Sequence, residues 1–165
     1  MEHAADAPQW LAALENSGVG QAMRQSLYLY PLVEVVHLVG IAALFGSILV
    51  LDLRLAGLAR FLSAKLLAKH LLRLTWIGFA LAVPSGALLF ITEATSIARN
   101  PAFLVKASLI VLAGANMLLF HIGAWRSVDA WDRDRTPPVA ARFAGAASVV
   151  LWILVIACGR LIAYF

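Results

Sequence analysis

Four stretches of the chain are apolar for long enough to cross a bilayer, which takes roughly 20 residues of α-helix. They run from about Leu32 to Leu51, Leu71 to Ile91, Ala102 to Ala124 and Phe143 to Phe165. The pattern predicts an all-α integral membrane protein, a single domain over 1–165 built as an antiparallel four-helix transmembrane bundle. In the second stretch "VPSG" places Pro84, which removes a backbone donor and predicts a kink. Ahead of the first stretch, Pro8 to Glu15 carries Trp10, Leu11 and Leu14 on one side, which predicts a short interfacial N-terminal helix. "NSGVGQ" reads as a break after it. The start, "MEHAADAPQW", has acidic charges and no apolar core directly behind them, so it is not expected to be a signal peptide.

The connections differ in character. In "RLAGLARFLSAKLLAKHLLR" leucines recur at helical spacing among basic residues, as in a helix lying on an anionic inner leaflet. Electrostatic anchoring then accounts for each Lys and Arg in it. "RSVDAWDRDRTPPVAAR" mixes Asp with Arg and ends in Pro137-Pro138, so it reads as a solvated loop. No repeat of 20–50 residues is visible.

Composition agrees with the pattern. The 165 residues are 62% hydrophobic and 13% charged, against about 25% charged in soluble domains, and the mean hydropathy is +0.87. A pI near 9.7 would point to nucleic acid in a soluble protein. Here the basic residues flank the apolar runs, so membrane topology explains them and no nucleic-acid partner is expected. Arg54, Arg60, Lys65, Lys69 and Arg73 follow the first run, and Arg126, Arg133, Arg135 and Arg142 follow the third. Against these nine, the other side has Arg24, Arg99, Lys106 and Arg160. The positive-inside rule makes the nine cytoplasmic and puts both termini on the outside. The lone Cys158 forms no internal disulfide and fixes no redox compartment.

Ionisable groups inside a span are costly and mark function by default. In "YPLVEVVHLV", Glu34 and His37 lie three residues apart, on one helical face. Gly40, one turn on, leaves room for a flat ligand or for another helix. A bland reading has His37 hydrogen-bonded to Glu34 or to a neighbouring carbonyl. Lys106, Asn116 and His121 lie in the third span, Arg160 in the outer part of the fourth, Glu93 at the outer end of the second and His70 at its inner end. Glu34, His37, Lys106 and Arg160 are at similar depth, so they are expected to converge in the outer half of the bundle.

Metal chemistry narrows quickly. A di-iron bundle needs two Glu-x-x-His motifs and two further glutamates, whereas this chain has one motif and only Glu93 besides. Zinc lacks a Cys pair, and His3, His37, His70 and His121 do not cluster in sequence. Haem needs only one or two axial imidazoles. At ~1.5 Å per residue, His37 and His121 differ in depth by roughly 20 Å, while axial nitrogens on one iron are only about 4 Å apart. His37 must therefore act alone or with a neighbour at its own depth. His70 and His121 both lie near the inner boundary, where they could meet as a second pair.

"YPLVEVVHLVGIAALFGSILVLDLRLAG", "NPAFLVKASLIVLAGANMLLFH" and the four-span layout resemble a group of small bacterial inner-membrane proteins. These are similar to the CopD-like copper-resistance proteins and the HemJ-type protoporphyrinogen oxidases. The resemblance covers the four spans and rests most on His37 with Gly40 and on Lys106. It implies haem b held by His37 in a bacterial inner membrane, with Lys106 and Arg160 as propionate or quinone contacts. Only three methionines (Met1, Met23, Met117) argue against a copper pathway.

Three functions compete at this stage. The first is a haem-b protein for electron transfer or a quinone- or porphyrin-linked redox step. The second is a non-enzymatic scaffold or accessory subunit, in a homo-oligomer or larger membrane complex, with Glu34, His37, Lys106 and Arg160 as a buried network. The third is a small ion or proton transporter, which lacks the inverted repeats and paired broken helices of that class.

Overall fold

The computed structural model describes residues 8–165; the polar start of the chain, with His3, lies outside the described residues. Among these residues are seven α-helices: α1 (Gln9–Glu15), α2 (Gly18–Gln25), α3 (Leu29–Leu55), α4 (Ala64–Thr92), α5 (Ala94–Ile97), α6 (Pro101–Ile122) and α7 (Val139–Leu161). Two 3₁₀ helices, Ala124–Ala130 and Ile162–Tyr164, follow α6 and α7. Four helices, α3, α4, α6 and α7 with its 3₁₀ extension, are long and apolar enough to cross a membrane. The chain is a multi-pass, all-α membrane protein. The outward residues of its bundle, such as Val35, Leu38, Val111, Leu119 and Ile153, are exposed and apolar. A helix with apolar residues all round is at home in lipid.

The bundle is two hairpins, α3–α4 and α6–α7, joined where α3 packs on α7. At the end that carries the termini, α4 and α6 also meet through the stacked rings of Phe90 and Phe103, 5.3 Å apart. In a bilayer no hydrophobic force drives helices together, so close backbone approach at small residues does. A β-carbon on Gly40 would lie 2.7 Å from the Ala82 nitrogen, and one on Gly78 would lie 2.5 Å from the Leu44 nitrogen. One turn or two beyond, Ser47 Oγ and Thr75 Oγ1 hydrogen-bond across the same interface at 2.8 Å. Gly145 does the same for α7, where a β-carbon would be 2.7 Å from the Asp52 carbonyl oxygen.

Helix starts carry their own signals. Asn100 Oδ1 accepts from the amides of Ala102 and Phe103, with Pro101 at the first helical position. Ser63 Oγ accepts from the Leu66 amide at 3.0 Å. "NSGVGQ" is the start of a helix as well as a break: Ser17 Oγ accepts from the Gly20 amide and caps α2. The basic stretch after α3 is also not a separate surface helix. From Ala64 onward it is the first turns of α4, continuous with the span, and only residues 56–63 form the turn.

The second loop is solvated at Arg126, Asp129, Arg133, Asp134 and Arg135, but it is also anchored. Val128 and Trp131 are buried with Leu55, Ala64, Phe120, Ala141 and Ala144 in one core cluster. Arg54, only 1% exposed, binds both loops: its Nε donates to the Leu62 carbonyl at 2.7 Å and its Nη2 to the Asp132 carbonyl at 2.8 Å. Arg54 is therefore a structural staple and not an anchor in the headgroups. Asp132 caps α4 from 67 residues away, accepting from the Lys65 amide at 2.8 Å and from the Ser63 hydroxyl. Partial burial pushes the Asp132 carboxyl up, but these donors and the charges of Lys65 and Arg54 hold it below the ordinary carboxylate range.

At the opposite end α1 and α2 fold onto α5 and the end of α4. Leu11 and Met23 are buried there, whereas Trp10 and Leu14 of the interfacial helix point outward. Arg24 Nη1 donates to the Thr92 carbonyl at 2.9 Å, close to where a cation is favoured at a helix C-terminus. Glu15 accepts from the hydroxyl and amide of Thr95, which hold its carboxyl below the usual range.

The glycine contacts make opposite-sign predictions. Ala is a better helix former than Gly by about 1 kcal/mol, so Gly114→Ala, with nothing within 4 Å of its new β-carbon, should leave thermal stability in detergent unchanged or raised. Gly78→Ala should lower it by about 1–3 kcal/mol, the usual range for overpacking. Equal melting temperatures for the two variants would show that α3 and α4 are not in this close contact.

Candidate functional site

His37 is half-buried on α3, one turn from the glycine crossing, and it faces α4. Its Nδ1–H donates to the Ala82 carbonyl at 2.9 Å, with Ser85 Oγ as a second acceptor at 3.1 Å. Gly86 makes room for the ring, since a β-carbon there would come within 2.9 Å of His37 Cε1. The helix α4 runs through Pro84 unbroken. Around it, side chains supply extra donors to the backbone: Ser85 Oγ to the Leu81 carbonyl at 2.5 Å, and His37 to that of Ala82. The hydrogen bond fixes the imidazole tautomer. With Nδ1 protonated, Nε2 is a free lone pair, the arrangement in which a metal-ligating histidine is held by an outer partner.

Lys106 is the second element. It sits on α6 and crosses to α7, where a β-carbon on Gly159 would be 3.3 Å from Nζ. The ammonium has no ion pair and no hydrogen bond among the described residues. His37 lies in the field of Lys106 and of Glu34, so two hairpins each bring a polar group to the same region.

The expected four-residue network is not present. Glu34 is exposed, and Arg160 is exposed with its own partner, donating to the Tyr164 hydroxyl at 3.2 Å and lying over that ring. No ion pair links any two of Glu34, His37, Lys106 and Arg160. Gly40 is occupied by helix α4 and not by a ligand slot. His70 and His121 are exposed, each with Nδ1–H on the carbonyl four residues back, Leu66 and Met117 respectively, at 2.8 Å. His121 also packs edge-on to Phe120 and near Trp125. Asn116, in the third span, donates to the Ala144 carbonyl and ties α6 to α7. Glu93 is exposed at the end of α4. An open groove at the loop end, lined by Lys65, Leu66, Lys69, Leu72, Trp125 and Asp129, contains none of the three described histidines.

No group of three or more His, Cys, Asp or Glu able to cage a metal occurs among the described residues. Sequence reasoning passed over Asp52, a buried carboxylate one residue beyond the end of the first apolar run. The signal was present in "LDLRL", where two charges alternate with leucines at a span end. No family model matches the chain, and neither a curated protein nor a solved structure does.

The tautomer is directly checkable. Nitrogen-15 spectra of histidine-labelled protein should show His37 with a protonated Nδ1 and a bare Nε2. A His37 protonated only at Nε2 would mean that the Ala82 contact is absent and that the ring has no nitrogen to offer a ligand.

Proposed function

We propose that this protein is a haem-b-binding protein of the bacterial inner membrane that takes part in electron transfer or in a quinone- or porphyrin-linked redox step. The single observation that carries the reading is His37: an intramembrane imidazole with Nδ1–H tied to a backbone carbonyl and Nε2 left free. By donor chemistry the residues fit the group: an imidazole with a free Nε2 and an ammonium without a counter-charge. His37 would be the axial ligand, held in orientation by Ala82 and Ser85. Lys106 would face a propionate or quinone oxygen, which explains an ammonium placed among apolar helices without a counter-charge. Haem, when bound, supplies one-electron chemistry that no side chain here can supply. The chain itself orients the imidazole and sets the local charge. His70 and His121 are reserve ligands by chemistry, since each also has Nε2 free.

Purification in detergent from haem-replete cells, with a visible spectrum and a pyridine haemochrome assay, tests the reading. A Soret band is expected, lost or shifted in His37→Ala and unchanged in His3→Ala. Bands that change equally in His70→Ala and His121→Ala but not in His37→Ala would move the site to the loop end. A protein that stays colourless when haem is supplied refutes haem binding. The scaffold or accessory-subunit reading then stands in its place.

We further propose that both termini face the periplasm, on the strength of the nine-to-four division of Lys and Arg. Even with Arg54 removed from the count as a structural residue, eight remain on the loop side. Single cysteines at the exposed positions Ser96 and Ser127, in a Cys158→Ser background, should react with an impermeant thiol reagent in intact spheroplasts at Ser96 only. Reaction at Ser127 alone would invert the topology.

A further inference from the structure

Among the described residues Asp52 is the one acidic side chain that is more than nine-tenths buried, with 6% exposure. It lies on α3 against α7, beside Ser148 and over Gly145. Its Oδ2 is out of contact with solvent and has no hydrogen-bond partner. Two residues on, Arg54 turns the other way, onto the carbonyls of Leu62 and Asp132. The other charges at this end are also directed elsewhere. Asp132 is engaged at the start of α4, and Arg142 on α7, Lys69, His70 and Arg73 on α4 and His121 on α6 are all exposed. None makes an ion pair with Asp52.

A buried carboxylate without a counter-ion is too costly to remain ionised, and it relieves the cost by binding something positive. The packing discriminates between candidates. A metal cation such as calcium needs six or more oxygens around it. Here Gly145 is pressed so close that a β-carbon would meet the Asp52 backbone carbonyl at 2.7 Å and Leu55 Cβ at 2.9 Å, and Ser148 lies beside the carboxylate. A proton needs no such shell.

We propose that Asp52 is an intramembrane proton-binding site. A carboxylate oxygen of Asp52 forms an O–H bond with a proton taken from water at the loop end of the bundle, and the neutral acid hydrogen-bonds Ser148. Helix α3 ends three residues later, at Leu55, so about 4.5 Å of helix axis separates the carboxyl from that end. Brief opening of the α3–α7 contact is enough for exchange. Intramembrane acids of this kind accept and donate protons alongside redox or transport steps. The site does not depend on haem, and its test does not require any.

The experiment is infrared spectroscopy of the full-length protein in lipid nanodiscs at neutral pH, where exposed carboxyls are ionised. A protonated-carboxyl C=O band is expected. It should shift down in D₂O, vanish in Asp52→Asn and move in frequency in Ser148→Ala, which removes the hydroxyl partner. Absence of the band from the wild type, or its survival in Asp52→Asn, overturns the proposal. So does a band that sodium or calcium chloride abolishes, because the site would then belong to a cation. If Asp52→Asn fails to assemble, Ser148→Ala decides alone: an unmoved band refutes the assignment.

Discussion

Backbone meets backbone where α3 crosses α4, and the rest of the molecule is arranged around that contact. Lipid tails are as apolar as leucine, so burying Leu against Leu gains little in a bilayer, and short-range packing must hold the helices. Gly40 and Gly78 supply it by leaving nothing between the two chains. The Ser47–Thr75 hydrogen bond extends the contact toward the loops. Toward the other end, the same proximity lets a histidine ring on one helix reach a carbonyl on the other. The candidate site is thus a by-product of the crossing: with α4 a side chain's width further away, His37 would lose its acceptor and its fixed tautomer.

The two ends of the bundle are closed by different means. The loop end is a small soluble-type core, with Trp131, Phe120 and Val128 packed together and Arg54 drawn in to satisfy carbonyls that no helix serves. A guanidinium with five donors suits that task better than an ammonium would. One of its nitrogens, Nη1, still lacks a partner. The end with the termini is closed by an amphipathic pair of short helices held through Arg24, Glu15 and Thr95. Charge is therefore invested largely in closing the ends, while His37, Lys106 and Asp52 are ionisable groups on the spans that are not exposed.

Much of this was legible in the chain. Spans of twenty or more apolar residues have one physical solution in lipid, so the four helices follow from hydropathy alone. Gly40 was legible as a close approach, although which neighbour would fill it was not. What sequence could not show is long-range. Asp132 caps a helix that starts 68 residues earlier, and no local pattern records that. Arg54 resembled every other basic residue near a membrane surface, and only the positions of the Leu62 and Asp132 carbonyls reveal it as buried. The start of α4 was missed because its first turns are basic and amphipathic, which reads as a surface helix until the helix is seen to continue. Depth along the helices placed Glu34, His37, Lys106 and Arg160 at one level, but depth does not fix azimuth, and Glu34 and Arg160 face outward.

The Asp132 cap has a consequence for the birth of the molecule. Chains emerge from the ribosome N-terminus first. The α3–α4 hairpin is therefore complete while the residue that caps α4 has not yet been made. Until Trp131 and Asp132 arrive, the first turn of α4 has amides satisfied only by Ser63 and by water, and the Arg54 guanidinium has only the Leu62 carbonyl to hold it. The first hairpin enters the membrane with its loop end unfinished, and the second hairpin completes it on arrival. Assembly of the two halves is thus ordered by the chain itself, with the loop after α6 acting as the closing piece for a helix laid down earlier.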